Sequence, residues 1–244
     1  MKQAREVALD ALTACERQGA WSDGYLKKAI GGAKLDGRDA ALATRLCFGV
    51  LQNRMLLDFY LSKLCATPLH KLEASIRNLL RLGAYQLLYL NRVPDHAAVS
   101  EAVSLARKKA KNPRAAGLVN GVLRSLSRRK AEFDFEDISL KYSMPRWLIA
   151  RWEEQIGKEE TEKMMKAFLE DRGTAVRCNV SLASREEILH SLESQGAAAE
   201  PSPYGEDLLI LKEYDYLEGL EAFQKGWIQV QDLSSSFEGR LADP

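Results

Sequence analysis

The sequence is poor in everything that would mark a metal site, a redox pair or a membrane span. Its 244 residues hold four cysteines, Cys15, Cys47, Cys65 and Cys178, with no CxxC pair and no histidine at ligand spacing. Neither zinc nor a redox couple is suggested, and the thiols read as small core residues. His70, His96 and His190 stand alone with no nucleophile motif nearby, so they read as surface or core positions. No run approaches the roughly 18 apolar residues that a membrane helix needs, and Met1-Lys2-Gln3-Ala4-Arg5-Glu6 leads into an amphipathic pattern without an apolar leader. A cytoplasmic protein with no membrane partner and no metal is expected. There is no GxGxxG and no P-loop, and the pairs Glu153-Glu154, Glu159-Glu160 and Glu186-Glu187 are adjacent on expected helices, where neighbours point apart. The residues alone contain no active site.

What is present is a globular composition, 46% hydrophobic and 28% charged, with length enough for two folding units. The net charge of +1 conceals an asymmetry: residues 1–130 carry 23 Lys and Arg against 10 Asp and Glu, whereas residues 131–244 carry 12 against 24. The first part is therefore +13 and the second −12. Such a division points to a polyanionic partner for the basic part. The densest basic stretch holds Arg107, Lys108, Lys109, Lys111, Arg114, Arg124, Arg128, Arg129 and Lys130, with no acidic residue among them. A solvated helix face usually interleaves both signs, so this run reads as a phosphate-binding footprint.

Helical spacing dominates the first 130 residues. Val7, Ala8, Ala11, Leu12 and Cys15 share one face, as do Leu42, Leu46, Gly49 and Val50, and Ile76, Leu79, Leu80, Gly83 and Leu87. Val99, Ala102, Val103 and Ala106 form another, and Leu118, Val119, Val122, Leu123 and Leu126 the last. Breaks are expected at Gly31-Gly32, Pro68, Pro94-Asp95 and Asn112-Pro113, where Asn can cap and Pro can occupy a first turn. Six or seven helices follow. The charge reversal and the acidic stretch from Glu132 to Asp137 suggest a boundary there.

Beyond it, helices are expected over Pro145–Ile156 and Glu159–Glu170. Thr174–Val180 is β-prone, Ser184-Arg185-Glu186-Glu187 is a capping box opening a helix, and Leu208–Leu211 and Trp227–Val230 are short buried strands flanking a helical stretch at Tyr216–Phe223. With a strand at Ala197–Glu200 the order is β-α-β-β-α-β, the ferredoxin-like arrangement. The fold class is thus multidomain: an all-α bundle over 1–130, a helical linker over 131–172, a small α+β domain over 173–231, and a helix from about Asp232 to Leu241 opening the segment 232–244. An RNA recognition motif stacks bases on aromatic residues of its central strands, and Thr174–Val180 has none, so base stacking on this sheet is not expected.

Several ordered segments carry a family resemblance. Leu42–Leu61 (LATRLCFGVLQNRMLLDFYL), Leu79–Leu90 (LLRLGAYQLLYL), Pro94–Ala102 (PDHAAVSEA) and Val119-Asn120-Gly121-Val122-Leu123-Arg124 resemble the NusB-like helical domain. Tyr142-Ser143-Met144-Pro145-Arg146-Trp147-Leu148, Arg177-Cys178-Asn179 and Gly226 through Val230-Gln231-Asp232-Leu233-Ser234-Ser235 are similar to the 16S rRNA cytosine-C5 methyltransferases of the RsmB (Sun/Fmu) type. The resemblance implies a NusB-like RNA-binding domain, an RRM-like accessory domain with Arg177 and Asn179 on its RNA-facing side, small-subunit (16S) rRNA as partner, a monomer, and S-adenosylmethionine as the full-length family's cofactor. In the family a cysteine thiolate attacks C6 of cytosine and a second cysteine assists release. None of the four cysteines lies in the family's Pro-Cys or Thr-Cys setting, and the Ala-Pro-Gly-Gly-Lys-type cofactor loop is not in the sequence. No catalytic or cofactor-binding residue is therefore carried over. The chain is expected to be the inactive RNA-binding front of such an enzyme, truncated before its catalytic domain. The alternative is a stand-alone NusB-like antitermination adaptor.

Overall fold

The computed structural model describes residues 3–91, 93–130, 137–170, 172–214 and 216–242. It divides into two compact units, residues 1–169 and 170–244. Unit 1 holds α1 (Ala4–Gln18), α2 (Ser22–Ala33), α3 (Gly37–Gln52), α4 (Arg54–Leu64), a 3-10 turn (Leu69–Lys71), α5 (Ala74–Tyr89), α6 (Asp95–Lys109) and α7 (Ala115–Arg129). Three further helices, α8 (Ile138–Lys141), α9 (Arg146–Ile156) and α10 (Lys158–Leu169), fall in the same unit. Of the segment that the sequence sets apart as a linker, residues 137–169 thus cluster with the bundle, Glu170 and Arg172 fall in the second unit, and the acidic residues 132–136 lie outside the described residues.

The expected apolar faces pack as the core. Val7, Ala8, Ala11 and Leu12 of α1, Leu46 and Val50 of α3 and Val119, Val122, Leu123 and Leu126 of α7 are all buried. Helix α5 is the hub, in contact with α1, α3, α4, α6 and α7 and buried at Ile76, Leu79, Leu80, Leu82, Ala84 and Leu87. Its fit against α7 depends on Gly83, because a Cβ there would overlap the Leu123 side chain. Gly83→Val is expected to destabilise unit 1 by about 1–3 kcal/mol through overpacking, read as a lower urea midpoint with an unchanged slope.

Two breaks differ from the sequence reading. Gly31-Gly32 does not end α2, which runs through both and stops where Lys34 takes the left-handed conformation at φ 52°. Glycine tolerates a last helical turn, so the pair alone fixes no boundary. Asn112-Pro113 lies ahead of α7 and not within its first turn: the Asn112 side chain accepts the Arg114 N–H at 2.9 Å and the helix opens at Ala115. After the bundle, Tyr142, Ile149 and Met165 form a small core of their own, and Ser143, at φ 54°, accepts the Met55 N–H at the start of α4 (2.9 Å).

Unit 2 is ferredoxin-like. Strands β1 (Thr174–Cys178), β2 (Ala198–Pro201), β3 (Leu208–Glu213) and β4 (Ile228–Val230) form one antiparallel sheet in the order β2-β3-β1-β4. Helix α11 (Arg185–Ser194) opens with a complete capping box between Ser184 and Glu187. It packs with the short α12 (Glu221–Gln224), and its Ile188 and Leu192 share a core with Val176, Cys178, Leu209, Leu211 and Ile228. Helix α13 (Leu233–Ala242) follows, and its Arg240 bonds the Tyr204 carbonyl and Asp207. Among the described residues no helix is long and apolar enough to cross a membrane, and no cluster of side chains could hold a metal ion.

Candidate nucleic-acid interface

Helices α6 and α7 form a hairpin through residues 110–114, so they run antiparallel, with Asp95 at the start of α6 accepting a 2.7 Å hydrogen bond from Ser127 near the end of α7. Each helix buries one stripe: Ala98, Val99, Ala102, Leu105 and Ala106 on α6, and Val119, Val122, Leu123 and Leu126 on α7. The opposite stripes diverge into a groove of about 1090 Å³. Ser100, Ser104 and Arg107 line it at helical spacing from α6, and Gly117, Asn120, Arg124 and Arg128 from α7.

The groove is cationic. Arg107, Arg124 and Arg128 are exposed, and among the described residues none has a carboxylate within ion-pair distance. Among the described residues Asp95 is the one acidic residue in the lining, and it is engaged by Ser127 and by Lys130 at 3.4 Å. Lys130 also donates to the Leu87 carbonyl at 3.1 Å. Unpaired guanidinium groups beside hydroxyls and a carboxamide suit phosphate oxygens, which the fork of donors on arginine binds in bidentate fashion.

The basic run of the sequence does not line one groove. Lys108 and Lys109 turn back to α1, where Lys108 meets Glu6 at 2.7 Å and Lys109 meets Glu6 at 3.0 Å and Asp10 at 2.9 Å. Glu6 is only 4% exposed, so these lysines are committed to compensating a buried carboxylate. Lys111 and Arg114 are exposed in and after the turn, Arg129 is exposed at the end of α7, and none of the three lines the groove. The lack of acidic residues within the run hid these pairs, whose partners lie about a hundred positions earlier in the chain.

Burial alone would raise the Glu6 carboxyl, but the hydrogen bonds and charges of Lys108 and Lys109 outweigh it and hold the group below the usual carboxylate range. A depressed folded value means that this stabilisation is complete above the unfolded carboxyl value of about 4.3 and is lost as pH falls through the folded value. Glu6→Gln is expected to cost about 1–2 kcal/mol at pH 7, discounted because Lys108 stays largely exposed, and to reduce the acid dependence of stability below about pH 4. Urea melts at pH 7 and pH 3 check both.

In unit 2, Arg177 and Asn179 lie in and just after β1 and are both exposed. Arg177 pairs in register with Leu208 of β3 and Gln229 of β4, on the face opposite Val176 and Cys178. The neighbouring positions of that face, Ala175 and Ile210, carry no aromatic ring. Asn179 is used locally: its N–H donates to the Trp227 carbonyl at 2.7 Å and its Oδ1 accepts the Ser181 hydroxyl at 2.6 Å.

Sequence reasoning missed Ser100, Ser104, Asn120 and Ser127. The signal for Ser100 and Ser104 is the stripe 96-100-104-107, which repeats at helical spacing opposite the apolar face, whereas Asn120 and Ser127 join them from α7. His96, set aside as isolated, lines the same groove. The cysteines offer no nucleophile. Burial pushes the Cys47 thiol up to about 12 and also raises Cys15 and Cys178, while Cys65 is buried.

Comparison with known proteins follows this geometry. The NusB family description matches residues 2–128, and that of the RsmF/B-like methyltransferase ferredoxin-like domain matches residues 144–216. The chain is 35% identical over 246 residues to "Probable ribosomal RNA small subunit methyltransferase B" of Bacillus subtilis (strain 168), covering 98% of this chain and 54% of that protein. It is 33% identical over 204 residues to "Ribosomal RNA small subunit methyltransferase B" of Escherichia coli O1:K1 / APEC, covering 83% and 47%. The chain thus spans about half the length of these relatives. The crystal structure of PH0851 has the same fold over 99% of this chain and 55% of its own, with a TM-score of 0.75 at 19% identity. On a match covering more than half of its residues, the chain belongs to the NusB family, and after the helical bundle it carries the ferredoxin-like domain of RsmF/B-like proteins.

Proposed function

We propose that this chain is the RNA-binding region of an S-adenosylmethionine-dependent rRNA cytosine-C5 methyltransferase, which recognises and positions small-subunit (16S) rRNA as a cytoplasmic monomer. The observation that carries the reading is the α6–α7 groove, in which, among the described residues, three arginines have no ion-pair partner and the single acidic residue is already engaged. Arg107, Arg124 and Arg128 are its phosphate contacts; Lys111, Arg114 and Arg129 extend the positive field, and Lys108 and Lys109 hold α6 against α1. Arg177 and Asn179 are a second, weaker candidate contact on the sheet.

The described residues do not fit the methyl donor. The chain between β4 and α13 is short and polar, with Asp232 accepting from the Ser234 N–H (2.9 Å) and hydroxyl (2.5 Å), and it forms no glycine-rich turn for a cofactor. No step of methyl transfer is derived from these residues.

The test is binding of the 244-residue chain to a 16S rRNA fragment across a salt series. A Kd below about 1 µM that weakens steeply with salt is the expected result. Weak binding indifferent to salt would overturn the reading. A stand-alone antitermination adaptor accounts for the bundle but leaves the ferredoxin-like domain over residues 144–216 without a role.

A further inference from the structure

We infer that the α6–α7 groove grips the ribose–phosphate backbone of paired RNA and does not read splayed bases, an inference that rests on the RNA-binding reading above. Three observations carry it. The first is the reach of the cations. Arg107 in the last turn of α6 and Gly117 in the first turn of α7 line the same end of the hairpin, eleven residues along α7 from Arg128, so at 1.5 Å per residue the backbone positions that carry the arginines extend over roughly 16 Å. That is too long for a single phosphate or mononucleotide and suits a run of phosphates on a polymer.

The second is what the groove lacks. Single-stranded RNA is held by stacking unpaired bases on aromatic side chains. Among the described residues no Phe, Tyr or Trp lines this groove, and His96 is the one planar aromatic ring there. The third is what replaces them. Ser100, Ser104 and Asn120 face the groove, and among the described residues their side chains have no hydrogen-bond partner within the chain. Small neutral donor–acceptors between arginines suit the 2′-hydroxyl, which donates and accepts and is what separates RNA from DNA. Gly117 adds a stretch of exposed helix with open space where a side chain would stand, so a ribose edge can approach closely.

The experiment is a competition series on the 244-residue chain with a roughly 16-base-pair RNA duplex, a scrambled RNA duplex, the corresponding DNA duplex and each RNA single strand. The RNA duplexes are expected to bind within about 3-fold of each other and about 10-fold more tightly than the DNA duplex or the single strands. A combined Ser100→Ala, Ser104→Ala and Asn120→Ala variant, all substitutions towards the best helix former, is expected to keep its fold while its preference for RNA over DNA falls to about 3-fold or less. Equal binding of RNA and DNA, tighter binding of a single strand, or an unchanged preference in the triple variant would overturn this inference and leave the RNA-binding reading standing. No salt-dependent binding to any RNA would overturn both and leave the groove to an acidic protein surface.

Discussion

Replacing Arg107, Arg124 and Arg128 together by glutamate is expected to abolish rRNA binding without unfolding the bundle. Each lost phosphate contact makes the dependence of log K on log salt shallower by about 0.7–0.9, so the slope should fall by about 2–3. At physiological salt the affinity should drop at least about 100-fold, because reversal adds repulsion to the lost attraction. The fold should survive, since all three side chains are exposed and without an ion pair among the described residues. A Lys111→Glu/Arg114→Glu variant supplies the contrast. Those cations lie outside the groove, and their reversal should weaken binding less than about 10-fold through the general field alone. Equal losses in the two variants would mean that the charge of the hairpin, and not the groove, attracts RNA. Reversing Lys108 and Lys109 would be a poor test, because it would strand the buried Glu6 and confound affinity with stability.

That distinction shows where the sequence is legible and where it is not. Periodicity is a local property, so the faces of α1, α3, α5, α6 and α7 and the capping box at Ser184 could be read directly, and the structure has them. The strand order of unit 2 followed from pattern and length, with its boundaries shifted by up to two residues where pairing stops, as at Cys178. Ion pairs between distant segments leave no such trace. A window from Arg107 to Lys130 contains no carboxylate, yet Glu6, Asp10 and Asp95 each take a lysine from it. The site is correspondingly smaller than the basic run and includes neutral residues that a charge count cannot find. Ser100 and Ser104 repeat at helical spacing with Arg107, but Asn120 joins them only when the two helices are set side by side.

Arg81→Ala is expected to be the most destabilising single polar substitution in unit 1, at about 3 kcal/mol. Arg81 lies on α5 with its side chain 10% exposed, and it joins three helices. Its Nε and Nη2 reach the two carboxylate oxygens of Asp58 on α4 at 2.7 and 2.8 Å. Its Nη1 donates to Asn78 at 3.0 Å and to Glu16 of α1 at 3.3 Å. Removing the guanidinium leaves Asp58 without its fork, while Glu16 keeps Arg77 and Asn78. Breaking a buried pair from one side costs about 3–5 kcal/mol, and the lower end applies because Asp58 retains some solvent. Arg81→Lys keeps the charge but not the planar fork, and should lose about 1–2 kcal/mol. An Arg81→Ala/Asp58→Ala double variant should recover part of the loss, since the unpaired carboxylate goes with its partner. Urea denaturation of the wild type, Arg81→Ala, Asp58→Ala and the double variant measures the cycle. If Arg81→Ala cost less than about 1 kcal/mol, the cluster would be a solvated surface network, and the apolar core, in which Leu9, Leu57, Leu61 and Leu80 are buried, would supply most of the anchoring of α1 and α4 to α5.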